Sequence, residues 1–259
     1  MLLKDRIAVI TGAGRGIGRA IALAYAAEGA DLVLAARSVE ALHETRDMVE
    51  AQGRRALVVP TDLRKEESVR DLAEQTLARF GHVDILVNNS GIAGPTTPLW
   101  QLDPADWDET FAVNVRGVYL CCRAFLPSMI ERRSGSIVII GSMTGKRPLY
   151  GRTPYAASKL ALVGLARTLA WEVGPYNIRV NVISPGPIEG ERIETVIRKQ
   201  AEVRGISVEE ARQQFTGSSP LGRLIPAQDV AEAAVYLGSD KSASITGEDL
   251  NVSAGSTMY

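Results

Sequence analysis

Short apolar runs alternate along the chain with longer segments in which apolar residues recur every three or four positions. The short runs, rich in Val, Ile and Leu and bounded by polar residues or glycine, are typical of β-strands buried on both faces. They predict strands at residues 7–11, 32–35, 56–59, 85–88, 137–140, 180–183 and 250–252. The longer segments have the period of an α-helix and predict helices at residues 16–28, 39–52, 65–80, 107–131, 155–171 and 228–237.

Strands that alternate with helices pack as a parallel sheet, since each helix carries the chain back to the same edge. We therefore predict an α/β fold of the Rossmann type, a doubly wound, parallel, seven-stranded sheet with helices on both faces. Residues 1–259 contain no linker, repeat or low-complexity tract, so we expect them to form a single domain. The polar, helix-prone segment 187–220 follows the sixth strand, and a long excursion at that edge predicts a lid over a substrate site.

A glycine-rich turn, Thr-Gly-Ala-Gly-Arg-Gly-Ile-Gly over residues 11–18, joins the first strand to the first helix. Glycines let the backbone turn tightly and approach a phosphate closely, and the helix start offers unpaired N–H groups to an anion. The strict Gly-x-Gly-x-x-Gly pattern fails because Ile17 occupies its last glycine position. The place of this turn after the first strand nevertheless predicts a dinucleotide site, with candidate contacts at Gly12, Arg15, Gly16, Ile17 and Gly18.

The end of the second strand bears on which dinucleotide binds. NAD sites place an acidic residue about 20 residues beyond the glycine turn, whereas NADP sites use an arginine for the 2′-phosphate. Here Arg37 stands at the end of that strand without a carboxylate beside it, and Arg15 adds a second positive charge. We therefore favour NADP(H) as the cofactor, with NAD(H) as the alternative if both arginines merely face solvent.

Tyr155 and Lys159 lie four residues apart at the start of an alanine-rich helical segment. Residues at this spacing share one helix face, so the ammonium group can act on the phenol. A cation within about 4–6 Å lowers the pKa of a tyrosine, ordinarily near 10, by roughly 1–3. The pair predicts a phenol that exchanges protons with an alcohol near neutral pH, although the same spacing also occurs on ordinary helix surfaces.

Composition narrows the class of protein. Of 259 residues, 46% are hydrophobic and 23% charged, with a net charge of −1, which is typical of a globular protein with a sizeable core. No basic cluster indicates nucleic acid, and the first apolar run is too short for a signal peptide or membrane span, so we expect a cytoplasmic protein. Cys121 and Cys122 are the only cysteines and have no histidine near them, so we expect no metal site.

With these motifs in place, the chain resembles the short-chain dehydrogenase/reductase family over essentially its whole length. Beyond the glycine turn, the matching features follow one another in the order of that family. They are Asp62-Leu63 after the third strand, Asn88-Asn89-Ser90-Gly91 after the fourth, Asn114 in the long helix, Ser142 thirteen positions before Tyr155, Lys159, and Pro185-Gly186 after the sixth strand. Their joint order and spacing are far more specific than any one motif.

The resemblance implies an NAD(P)-dependent oxidoreductase whose catalytic residues are Asn114, Ser142, Tyr155 and Lys159. Tyr155 would exchange a proton with the carbonyl or alcohol oxygen of the substrate, and Ser142 would hydrogen-bond that oxygen and polarise it. Lys159 would lower the pKa of Tyr155 and bind the nicotinamide ribose, while Asn114 would hold a water that links Lys159 to solvent. The nicotinamide carries the hydride, so the reaction needs no metal.

The resemblance also implies a set of cofactor contacts. Asp62 would contact the adenine, and Asn88 with the Ser90-Gly91 backbone would support the adenosine ribose and the sheet. The backbone of Ile188 would meet the nicotinamide carboxamide. Gly190 departs from the family pattern, which often has a threonine there, so anchoring at that point is expected to rest on backbone groups or the lid. Beyond the glycine turn, the expected contacts are Arg37, Asp62, Leu63, Asn89, Gly91, Tyr155, Lys159, Pro185, Gly186 and Ile188.

The predicted reaction is NADPH-dependent reduction of a ketone or aldehyde to an alcohol, with oxidation of a secondary alcohol as its reverse. One alternative is a dehydrogenase of a polyol, sugar or hydroxy acid, since a polar substrate would suit the charged residues expected near the cleft, Lys146, Arg147, Glu189 and Arg192. Another is reduction of 3-oxoacyl chains on acyl carrier protein, with Arg132 and Arg133 in a basic docking surface. Tyr176, at the second basic position of those reductases, argues against it.

A protein that binds nucleotide without turning it over is a further alternative. Such proteins usually lack the tyrosine or the lysine, and this chain has both. The resemblance also implies a homo-oligomer, most often a tetramer, in which the helices at 107–131 and 155–171 pack across subunits. Small residues on the second helix, such as Ala161 and Gly164, would permit close approach.

Overall fold

A computed structural model describes residues 1–217 and 219–259; position 218, within the predicted lid, lies outside the described residues. The described residues form one parallel sheet in the order β3-β2-β1-β4-β5-β6-β7. Its strands are β1 (Ile7–Thr11), β2 (Asp31–Ala36), β3 (Ala56–Pro60), β4 (Ile85–Asn88), β5 (Gly135–Ile140), β6 (Ile178–Pro185) and β7 (Asp249–Val252). The predicted seven-stranded, parallel α/β fold is therefore confirmed.

Helices cover both faces of the sheet. They are α1 (Gly16–Ala27), α2 (Val39–Glu50), α3 (Glu66–Phe80), α4 (Pro104–Phe111), α5 (Gly117–Arg132), α6 (Thr153–Val173), α7 (Glu191–Arg204), α8 (Val208–Thr216) and α9 (Ala227–Gly238). One apolar core lies between the sheet and α3, α5 and α6, and a second lies between the sheet and α1, α2 and α9. Strands buried on both sides explain why their sequences read as continuous apolar runs. Within the described part of the chain, none of these helices is long and apolar enough to cross a bilayer.

The predicted helix at 107–131 is not one regular helix. α4 ends at Phe111, Ala112–Arg116 form a turn of π-helix, and α5 continues from Gly117. The helical period of apolar residues runs on through such a turn, so the sequence pattern does not reveal it. The π-turn buries Asn114 between α6 and the loop after β4, which brings this residue to the carboxyl edge of the sheet.

The segment after β6, which the sequence marked as helix-prone, folds as two helices. α7 and α8 pack against each other around a small apolar core of Ile193, Ile197, Ala201 and Ala211. Gly205, with a φ of 63°, ends α7, and a capping box between Ser207 and Glu210 begins α8. Because this pair leaves the sheet at the carboxyl end of β6, it lies over the edge where the loops after the other strands meet.

The order of strands reverses between β1 and β4. Both strands pair in parallel, with Ala8 opposite Ile85, and their following loops diverge to opposite faces of the sheet. A crevice forms at such a reversal, outside the carboxyl ends of the strands. The glycine turn after β1 and the Asn89-to-Gly91 turn after β4 line this crevice.

At the opposite edge of the sheet, one buried carboxylate joins the first and fourth strands. Asp84 is 5% exposed and accepts a hydrogen bond from the backbone N–H of Ile7 at 2.8 Å. Three cationic or titratable side chains surround it, with His82 Nε2 at 3.2 Å, Arg132 Nη2 at 3.4 Å and Arg6 Nη1 at 3.7 Å. The carboxylate thus satisfies a buried donor and gathers side chains from three parts of the chain.

We expect Asp84→Ala to lower the free energy of unfolding by about 2–4 kcal/mol, because it leaves the Ile7 N–H and nearby cations without their acceptor. Urea denaturation followed by circular dichroism measures the change. Asp71→Ala, which removes an exposed carboxylate from α3, is the matched control. Equal unfolding midpoints for the two variants would contradict the role given to Asp84.

Candidate active site

The glycine turn after β1 forms a cradle with space for a phosphate group. Gly12 and Gly16 adopt φ values of 68° and 55°, in the left-handed region that favours glycine. The N–H of Gly12 donates to the carbonyl of Ala35 at 2.7 Å, which ties the turn to β2. A Cβ at Gly18 would collide with the carbonyl oxygen of Gly12, so the start of α1 can lie this close only without a side chain. The free N–H groups of the first turn of α1 suit an anion, and the residues present therefore fit a dinucleotide.

Asn89 holds this cradle to the end of β4. Its amide nitrogen donates to the carbonyl oxygens of Thr11 at 2.8 Å and Gly12 at 3.2 Å. The hydroxyl of Thr11 in turn accepts from the backbone N–H groups of Asn89 and Ser90, each at 3.0 Å. The side chain of Asn89 therefore shapes the turn.

Asn88 lies in β4, as expected of a residue that supports the sheet, but its side chain does not reach the crevice where the adenosine ribose was expected. Asn88 is 2% exposed and points into the core, where its amide nitrogen lies 3.5 Å from the sulfur of Cys122. Successive residues of a strand face opposite sides of the sheet, so Asn88 and Asn89 cannot both reach the crevice. Burial raises the pKa of the Cys122 thiol to about 12, which leaves that cysteine protonated.

A cluster of charges marks the end of β3, where the resemblance places the adenine. The carboxylate of Asp62 accepts hydrogen bonds from Arg64 Nε at 2.9 Å and Nη2 at 2.6 Å. The hydrogen bond from Arg64 is the main cause that lowers the pKa of Asp62 to about 2, with partial burial opposing it and the charge of Arg37 assisting. Arg37 is exposed and near enough to act on Asp62, and Arg15 is exposed at the start of α1. The side chain of Leu63 is buried, so any contact it makes at this edge is through its backbone.

Lys159 lies inside the site and faces Tyr155. It is 4% exposed, its ammonium group donates to the carbonyl of Ile140 at 2.8 Å, and it lies 5.9 Å from the centroid of the Tyr155 ring. Ile140 ends β5, and Ser142 follows two residues later, where its hydroxyl is close enough to the phenol of Tyr155 to help lower the pKa of that phenol. The hydroxyl, phenol and amine expected from the sequence therefore converge at the carboxyl edge. A Cβ at Gly91 would lie 3.4 Å from the ammonium nitrogen, so glycine keeps this approach open.

Asn114 joins this group through its backbone partners. Its side-chain oxygen accepts from the N–H of Ile92 at 2.8 Å, and its nitrogen donates to the carbonyl of Ile92 at 3.1 Å and to the hydroxyl of Ser158 at 3.0 Å. The side chain thus satisfies both the N–H and the C=O of Ile92, and its oxygen, which accepts one hydrogen bond here, has a second lone pair that could accept another. Its position fixes the loop after β4 against α6.

The pKa of Tyr155 reflects competing influences. Burial alone would raise it, but the charges of Arg192 and Lys159, the hydrogen bond from Ser142 and the charge of Arg152 outweigh burial and lower the pKa to about 8. At neutral pH the group is therefore mostly a phenol that can donate a proton, and slightly above that it becomes a phenolate that can accept one. This is the behaviour of an acid/base group.

Arg152 is a member of the site that the sequence analysis did not identify. It precedes α6 by one residue, is 3% exposed, and its guanidinium carbon lies 4.8 Å from the centroid of the Tyr155 ring. Arg192, at the start of α7, lies 5.9 Å from the same centroid and donates to the carbonyl of Gly91 at 3.2 Å. An arginine three residues before the tyrosine would share its side of the helix start, which is the one sequence signal that could have identified Arg152.

The loop after β6 closes the far side of the crevice. Gly186 donates to the carbonyl of Val252 at 2.9 Å, which fixes the turn that begins at Pro185. Ile188 lies opposite Ile225 in an isolated parallel β-bridge. The hydrogen bonds of this bridge join Ile225 to the two residues on either side of Ile188. The N–H and C=O of Ile188 itself therefore point away from Ile225, which leaves them free for a ligand.

Not every charged residue expected near the cleft serves it. The ammonium group of Lys146 lies 2.9 Å from a carboxylate oxygen of Asp249 and donates to Asn251 at 2.7 Å, so it is neutralised beside β7. Glu189 is exposed at the start of the predicted lid. Arg192, which the sequence also placed near the cleft, does approach Tyr155.

The chain matches known proteins over nearly its whole length. Residues 12–257 match a family model described as enoyl-(acyl carrier protein) reductase. The 3-oxoacyl-(acyl-carrier-protein) reductase FabG of Escherichia coli strain K12 is 37% identical over 258 residues, covering 100% of each chain. A crystal structure of NAD⁺-bound xylitol dehydrogenase superposes with a TM-score of 0.96 at 31% identity, covering 98% of this chain and 100% of that one. Levodione reductase superposes with a TM-score of 0.93 at 33% identity, covering 99% and 100%.

These matches extend over the glycine turn, the sheet and the site at its carboxyl edge. The chain belongs to the short-chain dehydrogenase/reductase family. It is an oxidoreductase that depends on a pyridine nucleotide and interconverts a ketone and an alcohol.

We expect Gly18→Ala to weaken nucleotide binding roughly 10- to 100-fold, because the new Cβ must push the Gly12 carbonyl and the start of α1 apart. Fluorescence titration with NADPH measures the dissociation constant. Gly174→Ala is the matched control, since its φ is −54° and nothing lies within 4 Å of the added carbon. Unchanged affinity in Gly18→Ala would show that the close approach at this turn does not matter for binding.

Proposed function

We propose that the protein is an NADP(H)-dependent reductase that converts a ketone to a secondary alcohol, with Tyr155 as the acid/base. The observation that carries this proposal is the convergence of Ser142, Tyr155 and Lys159 beside the crevice of the glycine turn. Burial raises the pKa of Tyr25, which is fully buried, so burial alone does not produce the behaviour of Tyr155. The site therefore offers a proton donor where a carbonyl oxygen can reach it.

In the proposed reduction, Tyr155 gives its proton to the carbonyl oxygen as negative charge develops there. The hydroxyl of Ser142 donates a hydrogen bond to the same oxygen and stabilises that charge. The positive charge of Lys159 stabilises the phenolate that remains, because its ammonium group is fixed nearby by Ile140. Asn114 acts as a positioning residue, since it holds the Ile92 loop against α6. In the reverse direction the phenolate accepts the proton of the alcohol.

The nicotinamide nucleotide supplies the hydride when it is bound. The residues that would hold its diphosphate are Gly12, Gly16, Ile17, Gly18 and Arg15 at the start of α1. Asn89 keeps that turn in shape, and Lys159 would donate to the ribose beside Gly91. The free peptide groups of Ile188 would meet the carboxamide, after the turn at Pro185 and Gly186. Asp62 and the Leu63 backbone would meet the adenine.

The preference for NADP(H) over NAD(H) rests on Arg37. It lies exposed at the end of β2, and the carboxylate near it, Asp62, is already engaged by Arg64. Arg37 is thus available to a 2′-phosphate. The last residues of β2 contain no carboxylate that could bind the ribose hydroxyls of NAD(H). The likeness to NAD⁺-bound xylitol dehydrogenase keeps NAD(H) as the alternative.

The relatives raise the alternative of 3-oxoacyl reduction on acyl carrier protein, as in FabG. Two arginines expected to form a docking surface have other partners here. Arg132 pairs with Asp84, and Arg133 donates to the carbonyl of Pro175 and lies over the ring of Tyr176. A small substrate is therefore the better-supported choice.

We further propose a cytoplasmic homotetramer. Apolar side chains on α5 and α6 support the assembly, since Trp171, Leu160 and Tyr119 are 87%, 53% and 48% exposed in the single chain. Cys121 and Cys122 are adjacent, buried and free, which suits a reducing compartment.

We expect kcat/KM for alcohol oxidation to rise with pH and level off above about 8, because Tyr155 must be deprotonated to accept the proton. Reduction should show the opposite slope. Tyr155→Phe should lose roughly 10²- to 10⁴-fold in kcat for both directions. Assays with NADPH and a panel of neutral ketones and aldehydes, and with NADP⁺ and the matching alcohols, provide the measurement. Nucleotide binding with no turnover of any compound, together with no effect of Tyr155→Phe, would overturn the proposed function.

We expect Arg37→Asp to weaken NADPH binding roughly 10- to 100-fold while leaving NADH binding similar or tighter, since the new carboxylate repels a 2′-phosphate but can accept from ribose hydroxyls. Titration of both nucleotides gives the two dissociation constants. Arg79→Asp, which makes the same change at an arginine near the end of α3, is the control. Equal losses for NADPH and NADH, or none, would contradict the assignment.

A further inference from the structure

The guanidinium group of Arg152 is buried without a counter-ion. Its side chain is almost wholly covered, its Nε makes no hydrogen bond, and its Nη1 reaches the hydroxyl of Thr96 at only 3.4 Å. Throughout the described part of the chain, no ion pair joins Arg152 to a carboxylate. A buried charge is costly unless it is paired, and the contact with the Tyr155 ring does not neutralise it, so this guanidinium group suits an anionic partner that the described residues do not supply.

The neighbours of Arg152 add positive charge and do not neutralise it. Arg192 and Lys159 approach the same ring of Tyr155, each at 5.9 Å from its centroid. Tyr155 is mostly uncharged at neutral pH, so it does not balance three cations. Burial lowers the pKa of Arg152. The charge of Arg192 lowers this pKa further, whereas the charge of Tyr155 raises it.

The lid brings the second arginine to this point. Arg192 lies at the start of α7 and is hydrogen-bonded to the carbonyl of Gly91. Further along α7, the buried side chain of Gln200 donates to the carbonyl of Tyr150 at 2.8 Å, while its oxygen makes no hydrogen bond. Tyr150 and Gly151 form the turn immediately before Arg152, and the N–H of Thr97 donates to Gly151 at 2.9 Å. The lid, the loop after β4 and the turn before α6 therefore meet around Arg152.

We infer that Arg152 and Arg192, which meet beside Tyr155, bind the anionic group, a carboxylate or a phosphate, of a small carbonyl substrate. The inference rests on the proposed function, because the same molecule must present its carbonyl to Tyr155. A guanidinium group donates two parallel hydrogen bonds to a carboxylate or phosphate, and the Nε that is unpaired in Arg152 is one of those donors. The substrate class is a short oxo acid or phosphorylated ketone, and the product is the corresponding hydroxy compound.

The short distance between the two sites limits the length of the substrate. The guanidinium carbon of Arg152 lies 4.8 Å from the Tyr155 ring centroid, so the anion and the reacting oxygen must lie within a few bonds of each other. In the reaction the C=O π bond breaks, the carbonyl carbon accepts the hydride of NADPH, and the oxygen takes the proton of Tyr155. The anionic group stays intact and serves to orient the carbonyl.

Matched pairs of compounds test the inference with NADPH and the full-length protein. The acids are acetoacetate, 2-oxobutyrate and laevulinate, each compared with its methyl ester, and dihydroxyacetone phosphate is compared with dihydroxyacetone. We expect kcat/KM to favour at least one anion over its neutral partner by at least about tenfold. Preference for the acids indicates a carboxylate site, and preference for dihydroxyacetone phosphate indicates a phosphate site.

Two variants connect any preference to the named residues. Arg192→Met and Arg152→Met should each lower the ratio of kcat/KM for the preferred anion to that for its neutral partner roughly 10- to 100-fold. Removing either arginine also changes the pKa of Tyr155, but both compounds of a pair take their proton from Tyr155. This effect therefore cancels in the ratio. Arg152→Lys, which keeps a buried cation, should retain part of the ratio that Arg152→Met loses. It also serves as the test variant if Arg152→Met folds poorly. Arg198→Met, at an exposed arginine of α7, should leave the ratio unchanged.

The outcomes separate this inference from the proposed function. Reduction of neutral ketones with no preference for any anion, or with a preference that neither variant changes, would overturn the anion site and leave the proposed reductase intact. If no compound is reduced, neutral or anionic, both the anion site and the proposed reductase would be overturned. Loss of NADPH affinity in Arg152→Met and Arg192→Met, with an unchanged anion ratio, would show that the two arginines serve the cofactor instead.

Discussion

The chemistry of this protein depends on one electrostatic balance, between the burial of the Tyr155 phenol and the cations placed around it. Burial favours the neutral phenol, whereas Arg192, Lys159, Ser142 and Arg152 favour the phenolate, and together they lower the pKa to about 8. A tyrosine without these neighbours would remain protonated at any physiological pH and could not exchange protons in both directions. The position of each cation is therefore as important as that of the phenol.

The parallel sheet makes this arrangement possible, because the loops that follow its strands all meet at one edge. β5 supplies the carbonyl of Ile140 that fixes Lys159, and the residues just after it supply Ser142. The π-turn after α4 places Asn114 where it satisfies both peptide groups of Ile92, which keeps the loop after β4 close to α6. Without an extra residue in that turn, the side chain would face another side of the helix.

Much of this could be predicted from the sequence, since buried parallel strands and the four-residue step from Tyr155 to Lys159 leave a strong local pattern. The side chain of Asn88 does not reach the expected ribose, because a run of polar residues at a strand end does not show which face each one takes, and Asn88 faces Cys122 in the core. Arg152 was missed because its burial depends on how the Thr96 loop and the lid fold over it, which no local period encodes. Lys146 was expected near the cleft, but tertiary pairing with Asp249 neutralises it.

Direct titration of Tyr155 tests the central claim without any assumption about the substrate. Ultraviolet difference absorbance reports the formation of tyrosinate as pH rises, and the difference between the native protein and Tyr155→Phe isolates this one phenol among the seven tyrosines. We expect a transition near pH 8 that is absent in Tyr155→Phe and moves to higher pH in Arg192→Met, since a lost cation no longer stabilises the phenolate. A transition at or above the ordinary tyrosine value near 10 would contradict it.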